Sequence, residues 1–122
     1  MISIASDKQR REELLLALAD GTRGGIVEML AKRPHTATEI HRAFPIAAPA
    51  VSRHLRVLRE AGLVEERRPP HDRRVRVYTL KAQPVQELAD WLAAVSRLWQ
   101  VQLDSFKDYV ALRSARPEEE PR

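Results

Sequence analysis

The sequence predicts a mainly α protein with a small β-hairpin, five helices in all, and three observations carry that prediction. Apolar residues recur at helical spacing from Leu14 to Met29 and again from Val85 to Tyr109. Two short helical patterns, around "TATEIHRAF" and "AVSRHLRVLREAGLV", are separated by only a few residues. Between the second of these and the last helix, "LVEERRPPHDRRVRVYTL" changes to the two-residue alternation of a strand on either side of a proline-rich tip.

The elements follow in order. Leu14, Leu15 and Leu18 place an apolar stripe on a first helix that "ADGT" interrupts. Asp20 or Thr22 caps a second helix running through Ile26, Val27, Met29 and Leu30 and ending before Pro34. Gly24 and Gly25 weaken that helix by about 1 kcal/mol each relative to alanine, a cost that either reflects close packing or is tolerated. In "TATEIHRAF", Thr36 and Glu39 stand at capping-box spacing, so each side chain satisfies an orphan amide of the first turn. Ala37, Ile40 and Phe44 share one side of this third helix, and Pro45 ends it. Pro49 then suits the first turn of a fourth helix, where its missing N–H costs nothing. Helices joined by so tight a turn cross steeply.

On the fourth helix, 48–61, a step of 100° per residue gathers Val51, Leu55 and Leu58 on a core face with His54 and Ala61 on its flank. The opposite arc carries Pro49, Ser52, Arg53, Arg56, Arg59 and Glu60, and Gly62 supplies a left-handed stop. The hairpin reading gives strands at 64–68 and 73–80, with Val75, Val77 and Thr79 packing while Arg74, Arg76 and Tyr78 face outward. The last helix, about 84–113, has one stripe through Val85, Leu88, Leu92, Val95, Trp99, Gln102, Phe106 and Tyr109, and a second through Trp91, Ala94, Leu98 and Val101. Two stripes on so long a helix exceed what a small domain covers. A second copy of the chain is the simplest cover, with Leu14, Leu18, Leu88, Leu92, Val95, Trp99 and Phe106 as the expected dimer interface.

Composition removes several classes of function. With 122 residues, 43% apolar and 31% charged, the chain is the size of one ordinary domain. No cysteine is present, so disulfides, thiolate metal sites and thiol catalysis are excluded. No apolar run approaches the ~20 residues of a membrane span, and "MISIASDKQRREE" lacks a signal-peptide core, which leads to the expectation of a cytoplasmic protein. No nucleophile–base or paired-carboxylate arrangement stands out, so an enzyme is not expected. The four histidines, His35, His41, His54 and His71, have no ligand spacing within one element, and neither a metal nor another cofactor is expected.

The net charge of +4 is unevenly placed. Residues 52–81 hold nine Lys/Arg against four Asp/Glu, a local +5, while the other twelve basic and thirteen acidic residues sum to −1. A major groove admits one α-helix, and arginine forks match both phosphate oxygens and the O6/N7 edge of guanine. The joint pattern of tight helix–turn–helix spacing, polar outer arc and basic hairpin implies double-stranded DNA as partner. The expected contacts are Pro49, Ser52, Arg53, Arg56, Arg59, Arg67, Arg68, Arg73, Arg74 and Arg76. Arg59, nearer the helix C-terminus, suits a phosphate or a glutamate better than a base. A rival reading makes the fold a protein-interaction module whose basic face docks an acidic partner. RNA is less well matched, because no stacking aromatics interleave the arginines.

"LADGTRGGIVEML", "TATEIHRAF", "AVSRHLRVLREAGLVEERR" and "RRVRVYTL" resemble the ArsR/SmtB type of winged helix-turn-helix repressor over about residues 12–112. The resemblance implies a homodimer built through the first and last helices, a recognition helix at 48–61 and a wing at 65–80. It sets Ser52, Arg53 and Arg56 at base edges and phosphates, Arg73, Arg74 and Arg76 on the wing, and His54 beside a core leucine, where a packing role is the preferred reading. The sequence departs from the family in two places. Metal-sensing members carry paired cysteines where this chain has His41 alone, and its last helix has Asp90, Asp104 and Asp108 but no histidine. In "PIAAPA", Ala47 stands where a Ser or Thr cap is expected, a loss of about 1 kcal/mol, and Ala48 replaces a polar groove contact. The domain organisation expected is a disordered 1–6, a DNA-binding and dimerisation domain at 7–113, and a disordered acidic tail at 114–122.

Overall fold

The structure, a computed structural model, describes residues 4–115. In chain order its elements are α1 (Ile4–Ala19), α2 (Gly21–Lys32), β1 (His35–Thr36), α3 (Ala37–Ala43), α4 (Ala48–Glu60), β2 (Val64–Arg67), β3 (Val77–Leu80) and α5 (Ala82–Ala115). Of the ends expected to be disordered, 1–3 and 116–122 lie outside the described residues, while 4–6 and 114–115 are helical. The chain divides within α5 into two compact units, Met1–Gln86 and Glu87–Arg122.

Local chemistry sets the helix ends of the first unit. Asp20, not Thr22, caps α2, its carboxylate accepting from the backbone N–H groups of Thr22 and Arg23 at 2.9 and 3.1 Å. Those bonds, Arg23's first, hold its carboxyl below the usual carboxylate range. Thr36 and Glu39 form the reciprocal capping box of α3. The C-terminus of α4 closes with Gly62 at φ +81°, the Leu63 N–H donating to the Leu58 carbonyl and the Gly62 N–H to that of Arg59, both at 3.0 Å. This is a Schellman stop, and Leu58 and Leu63, its usual apolar pair, are both fully buried. Gly24 and Gly25 of α2 have different reasons. A Cβ on Gly25 would stand 2.9 Å from the Phe44 ring, whereas one on Gly24 would meet nothing nearer than the Leu18 carbonyl at 3.7 Å.

Leu14 and Ala17 of α1, Ile26 and Leu30 of α2, Ile40 of α3, and Val51, Leu55 and Leu58 of α4 are buried, together with Leu63, Val64 and Tyr78. The sheet has three antiparallel strands in the order β1-β3-β2, with His35 opposite Tyr78 and Val64 opposite Leu80. The strands are shorter than the hairpin reading, and residues 73–76 belong to the connecting loop. The packing face of the return strand also differs from expectation. Tyr78 is 3% exposed, while Val75, Val77 and Thr79 are only half-buried. An aromatic ring buries more area than a valine, and its hydroxyl finds a partner by donating to Glu66 at 3.1 Å.

In the second unit α5 is one unbroken helix, the whole element being about 50 Å long at 1.5 Å per residue. Leu88 is buried, but Leu92, Val95, Leu98, Trp99, Val101, Phe106 and Tyr109 are exposed. Among the described residues no helix is long and apolar enough to cross a membrane.

Candidate nucleic-acid interface

The outer arc of α4 is held in place by everything on its inner side. Val51, Leu55 and Leu58 are at most 2% exposed, so rotation of the helix would bring apolar area into water. Each such side chain contributes about 1.5–3 kcal/mol of burial. On the flank, His54 is clamped from α2. The Arg23 guanidinium donates to the Ala17 carbonyl at 2.6 Å and the Leu16 carbonyl at 3.3 Å, and lies 3.2 Å from His54 Nδ1. Arginine only donates, so Nδ1 accepts. One side chain thereby satisfies C-terminal carbonyls of α1 and ties α4 to them.

At the helix start, Ala47 provides no side-chain cap and Ala48 and Pro49 are exposed. The missing cap costs less than its sequence suggests. Pro49 has no N–H to satisfy, and the Ala50 and Val51 amides both donate to the Ala47 carbonyl at 2.9 and 3.2 Å.

Seven of the eight expected contact arginines separate into two groups. The side chains of Arg53, Arg56, Arg67 and Arg73 are exposed and make no hydrogen bond or ion pair among the described residues. Arg59, Arg68 and Arg74 are engaged. Arg59 Nη1 lies 2.6 Å from Glu66 Oε2, and Arg68 approaches the same carboxylate at 3.4 Å while donating to the Arg73 carbonyl at 2.9 Å. Arg74 pairs with Asp72 at 3.2 Å, although its side chain is 93% exposed. Glu66 is thus the anchor of the wing, joined to α4 through Arg59 and to β3 through Tyr78. Burial first, and Glu66 second, push the Tyr78 phenol up from its ordinary value. Arg76 is half-buried, its carbonyl accepting from the Ala37 N–H at 2.9 Å, which stitches the wing loop to the start of α3. Ser52 is half-buried, with its hydroxyl 3.3 Å from His41 Nε2.

His41 and Arg23 are the residues that sequence reasoning missed at this surface. Each acts across the fold, on positions 11 and 31 residues away, and no local pattern announces such a contact. Of the expected interface residues, Leu14 and Leu88 are buried within the chain and Leu18 is half-buried, while Leu92, Val95, Trp99 and Phe106 are exposed. Among the described residues, no three His, Asp or Glu side chains are grouped to hold a metal ion.

A helix-turn-helix domain family matches residues 18–67. The HTH-type transcriptional regulator Rv2034 of Mycobacterium tuberculosis is 54% identical over 59 residues, a match covering 48% of this chain and 54% of that protein, so the chain spans about half the length of this relative. Two solved structures share the fold along nearly their whole length. An ArsR family transcriptional regulator superposes with a TM-score of 0.66 at 27% identity, over 75% of this chain and 97% of the other. A protein described as a possible transcriptional regulator for arsenical resistance does so with a TM-score of 0.60 at 33% identity, over 74% and 93%. The tight turn between α3 and α4, the wing that follows and these likenesses agree: the chain belongs to the ArsR/SmtB-type winged helix-turn-helix family of transcriptional regulators.

Proposed function

We propose that the chain is a homodimeric, sequence-specific DNA-binding repressor acting in the cytoplasm. The observation that carries this reading is the outer arc of α4, where Arg53 and Arg56 are exposed and unengaged among the described residues on a helix locked from behind by Val51, Leu55 and Leu58. Set into a major groove, the arc brings Ser52, Arg53 and Arg56 to base edges and adjacent phosphates. Arg67 and Arg73 of the wing reach flanking phosphates. Arg59 and Arg68 hold the wing's shape through Glu66, and Arg74, tethered to Asp72, lies at the edge of the contact.

The dimer is supported by the apolar face of α5. Leu92, Trp99 and Phe106 are 54%, 63% and 62% exposed, and each would add about 1–2 kcal/mol on burial of its exposed area against a second copy. On α1, Leu15 and Leu16 are exposed as well. Two-fold symmetry then sets two copies of α4 in successive major grooves about 34 Å apart, on an imperfect palindrome. A dimer seated across a promoter obstructs polymerase.

Selection of bound sequences from random duplexes tests the whole reading. The expected result is a two-fold motif with half-site centres about 10 base pairs apart. Enrichment of no two-fold motif would sink it.

A further inference from the structure

The contact between α3 and α4 bears on what Ser52 can read. His41 Nδ1 lies 2.6 Å from the Ala37 carbonyl oxygen, one turn earlier on α3. A carbonyl only accepts, so Nδ1 carries the ring proton and, in the neutral imidazole, Nε2 is left with a lone pair. Nε2 in turn lies 3.3 Å from Ser52 Oγ. With the ring neutral, the hydroxyl hydrogen is directed at His41, and Ser52 turns only its oxygen lone pairs to the outside.

We propose that His41 is a positioning residue for DNA recognition: it orients the Ser52 hydroxyl as an acceptor, so that this position of α4 selects a base presenting an exocyclic amino group, adenine N6 or cytosine N4, to the major groove. The inference rests on the DNA-binding reading above and refines it. A free serine hydroxyl rotates to donate or to accept, and so matches any base edge and any phosphate. Held by His41, it opposes lone pair to lone pair at a phosphate, at guanine O6 and N7, and at thymine O4. Specificity arises from the freedom removed. The ring is itself well seated, since Ala37 is buried and the Thr36–Glu39 capping box fixes the turn of α3 that carries the carbonyl. Arg53 and Arg56 offer only donors, so adjacent positions of one helix have opposite hydrogen-bond polarity.

The test is selection from random duplexes with the full chain and with His41→Ala, His41→Gln, Ser52→Ala and the His41→Ala/Ser52→Ala double variant, each first shown by thermal melting to be folded. The wild-type chain is expected to enrich adenine or cytosine at one position of each half-site, and Ser52→Ala to lose that preference there alone. His41→Ala frees the hydroxyl, and His41→Gln offers an amide of either polarity. Both should keep the rest of the motif while discrimination at that one position falls about three- to ten-fold, the worth of one hydrogen bond. His41→Ala should have no further effect on that position in the Ser52→Ala background. Unchanged preference in both His41 variants, loss spread evenly over all positions, or the same loss without Ser52 overturns the role of His41 while leaving DNA binding intact. A wild-type chain that enriches no motif overturns the DNA-binding reading itself.

Discussion

Arg56→Ala and Arg59→Ala should have opposite consequences, although the two residues are three positions apart on the same helix. Arg56 is exposed and has no partner among the described residues, whereas Arg59 is 2.6 Å from Glu66, whose side chain is 15% exposed. On the proposed reading, Arg56, Arg67 and Arg73 of each copy neutralise phosphates with Arg53 on a base edge, so a dimer would release counterions from six phosphates. The slope of log affinity against log salt is then about −5.4, at about 0.9 per phosphate. Arg56→Ala in both copies removes two contacts and brings the slope to about −3.6. Between 50 and 200 mM salt, the loss of affinity shrinks from about 2,000-fold to about 150-fold. Arg59→Ala removes no phosphate contact and leaves the slope unchanged. It deprives a largely buried carboxylate of its shortest hydrogen bond, with Arg68 and Tyr78 remaining, at a cost of about 1 kcal/mol, or about 3–5 °C in Tm. Salt-titrated fluorescence anisotropy on the selected operator measures the slope, and calorimetry the melting temperature. An equal reduction of slope by the two substitutions, with no change of Tm for Arg59→Ala, would refute the division of arginines into engaged and available.

The remaining predictions concern stability and assembly. Gly24→Ala should stabilise by about 0.5–1 kcal/mol through helix propensity, while Gly25→Ala, despite the same gain, should come out net destabilising because its Cβ meets the Phe44 ring at 2.9 Å; urea titrations of both decide it. Glu39 has its carboxyl pulled down to about 2 by the Thr36 backbone N–H first and by Arg33 and His35 after it, so its contribution is full above its unfolded value near 4.5 and is lost as pH falls through about 2. Glu39→Gln should therefore lower stability at pH 7, with the gap to wild type closing between about pH 4.5 and pH 2; a gap independent of pH would contradict the assignment. Leu92→Glu with Trp99→Glu should give a monomer in sedimentation velocity with unchanged helical circular dichroism and greatly weakened operator binding, and a persistent dimer would remove α5 from the interface.

What could be read in the sequence was whatever is decided by neighbours along the chain. The capping box at Thr36 and Glu39, the glycine stop at Gly62, and the core face of Val51, Leu55 and Leu58 each depend on residues within one or two turns, and each stands as expected. Apart from element boundaries, the misreadings are questions of what lies opposite. β1 is two residues long, too short to show alternation, and exists only because His35 and Thr36 pair with Tyr78 and Val77. The outward assignment of Tyr78 followed the valines, yet the face of a strand is chosen by the surface beneath it, and there Glu66 could take the phenol's hydrogen. At the candidate interface, the sequence displays nine cations in one segment but not which of them Glu66 and Asp72 engage. It left the role of His41 unread for the same reason, because the Ala37 carbonyl that sets its tautomer matters only once Ser52 is brought across the turn.

These pairings give the recognition surface an order along α4. It begins with exposed apolar residues, Ala47 where a polar cap would otherwise stand and Ala48 where a polar contact would, followed by Pro49, and the backbone there leaves little unsatisfied because Ala50 and Val51 both donate to Ala47. A methyl-sized end is suited to a thymine methyl and to little else. Next comes Ser52 with its lone pairs outward, and then Arg53 and Arg56 with donors only. Inserted by its N-terminal end, the helix therefore offers the groove apolar surface, an acceptor and donors in succession. Half of this polarity is set off the helix, by the tautomer of His41 on α3. Glu66 on the wing, by engaging Arg59, leaves Arg53 and Arg56 as the unengaged arginines of α4 among the described residues. On the proposed reading the two helices and the wing act as one reader, and a substitution at Glu66 or His41, neither of which need touch DNA, should change which sequence is bound and not merely how tightly.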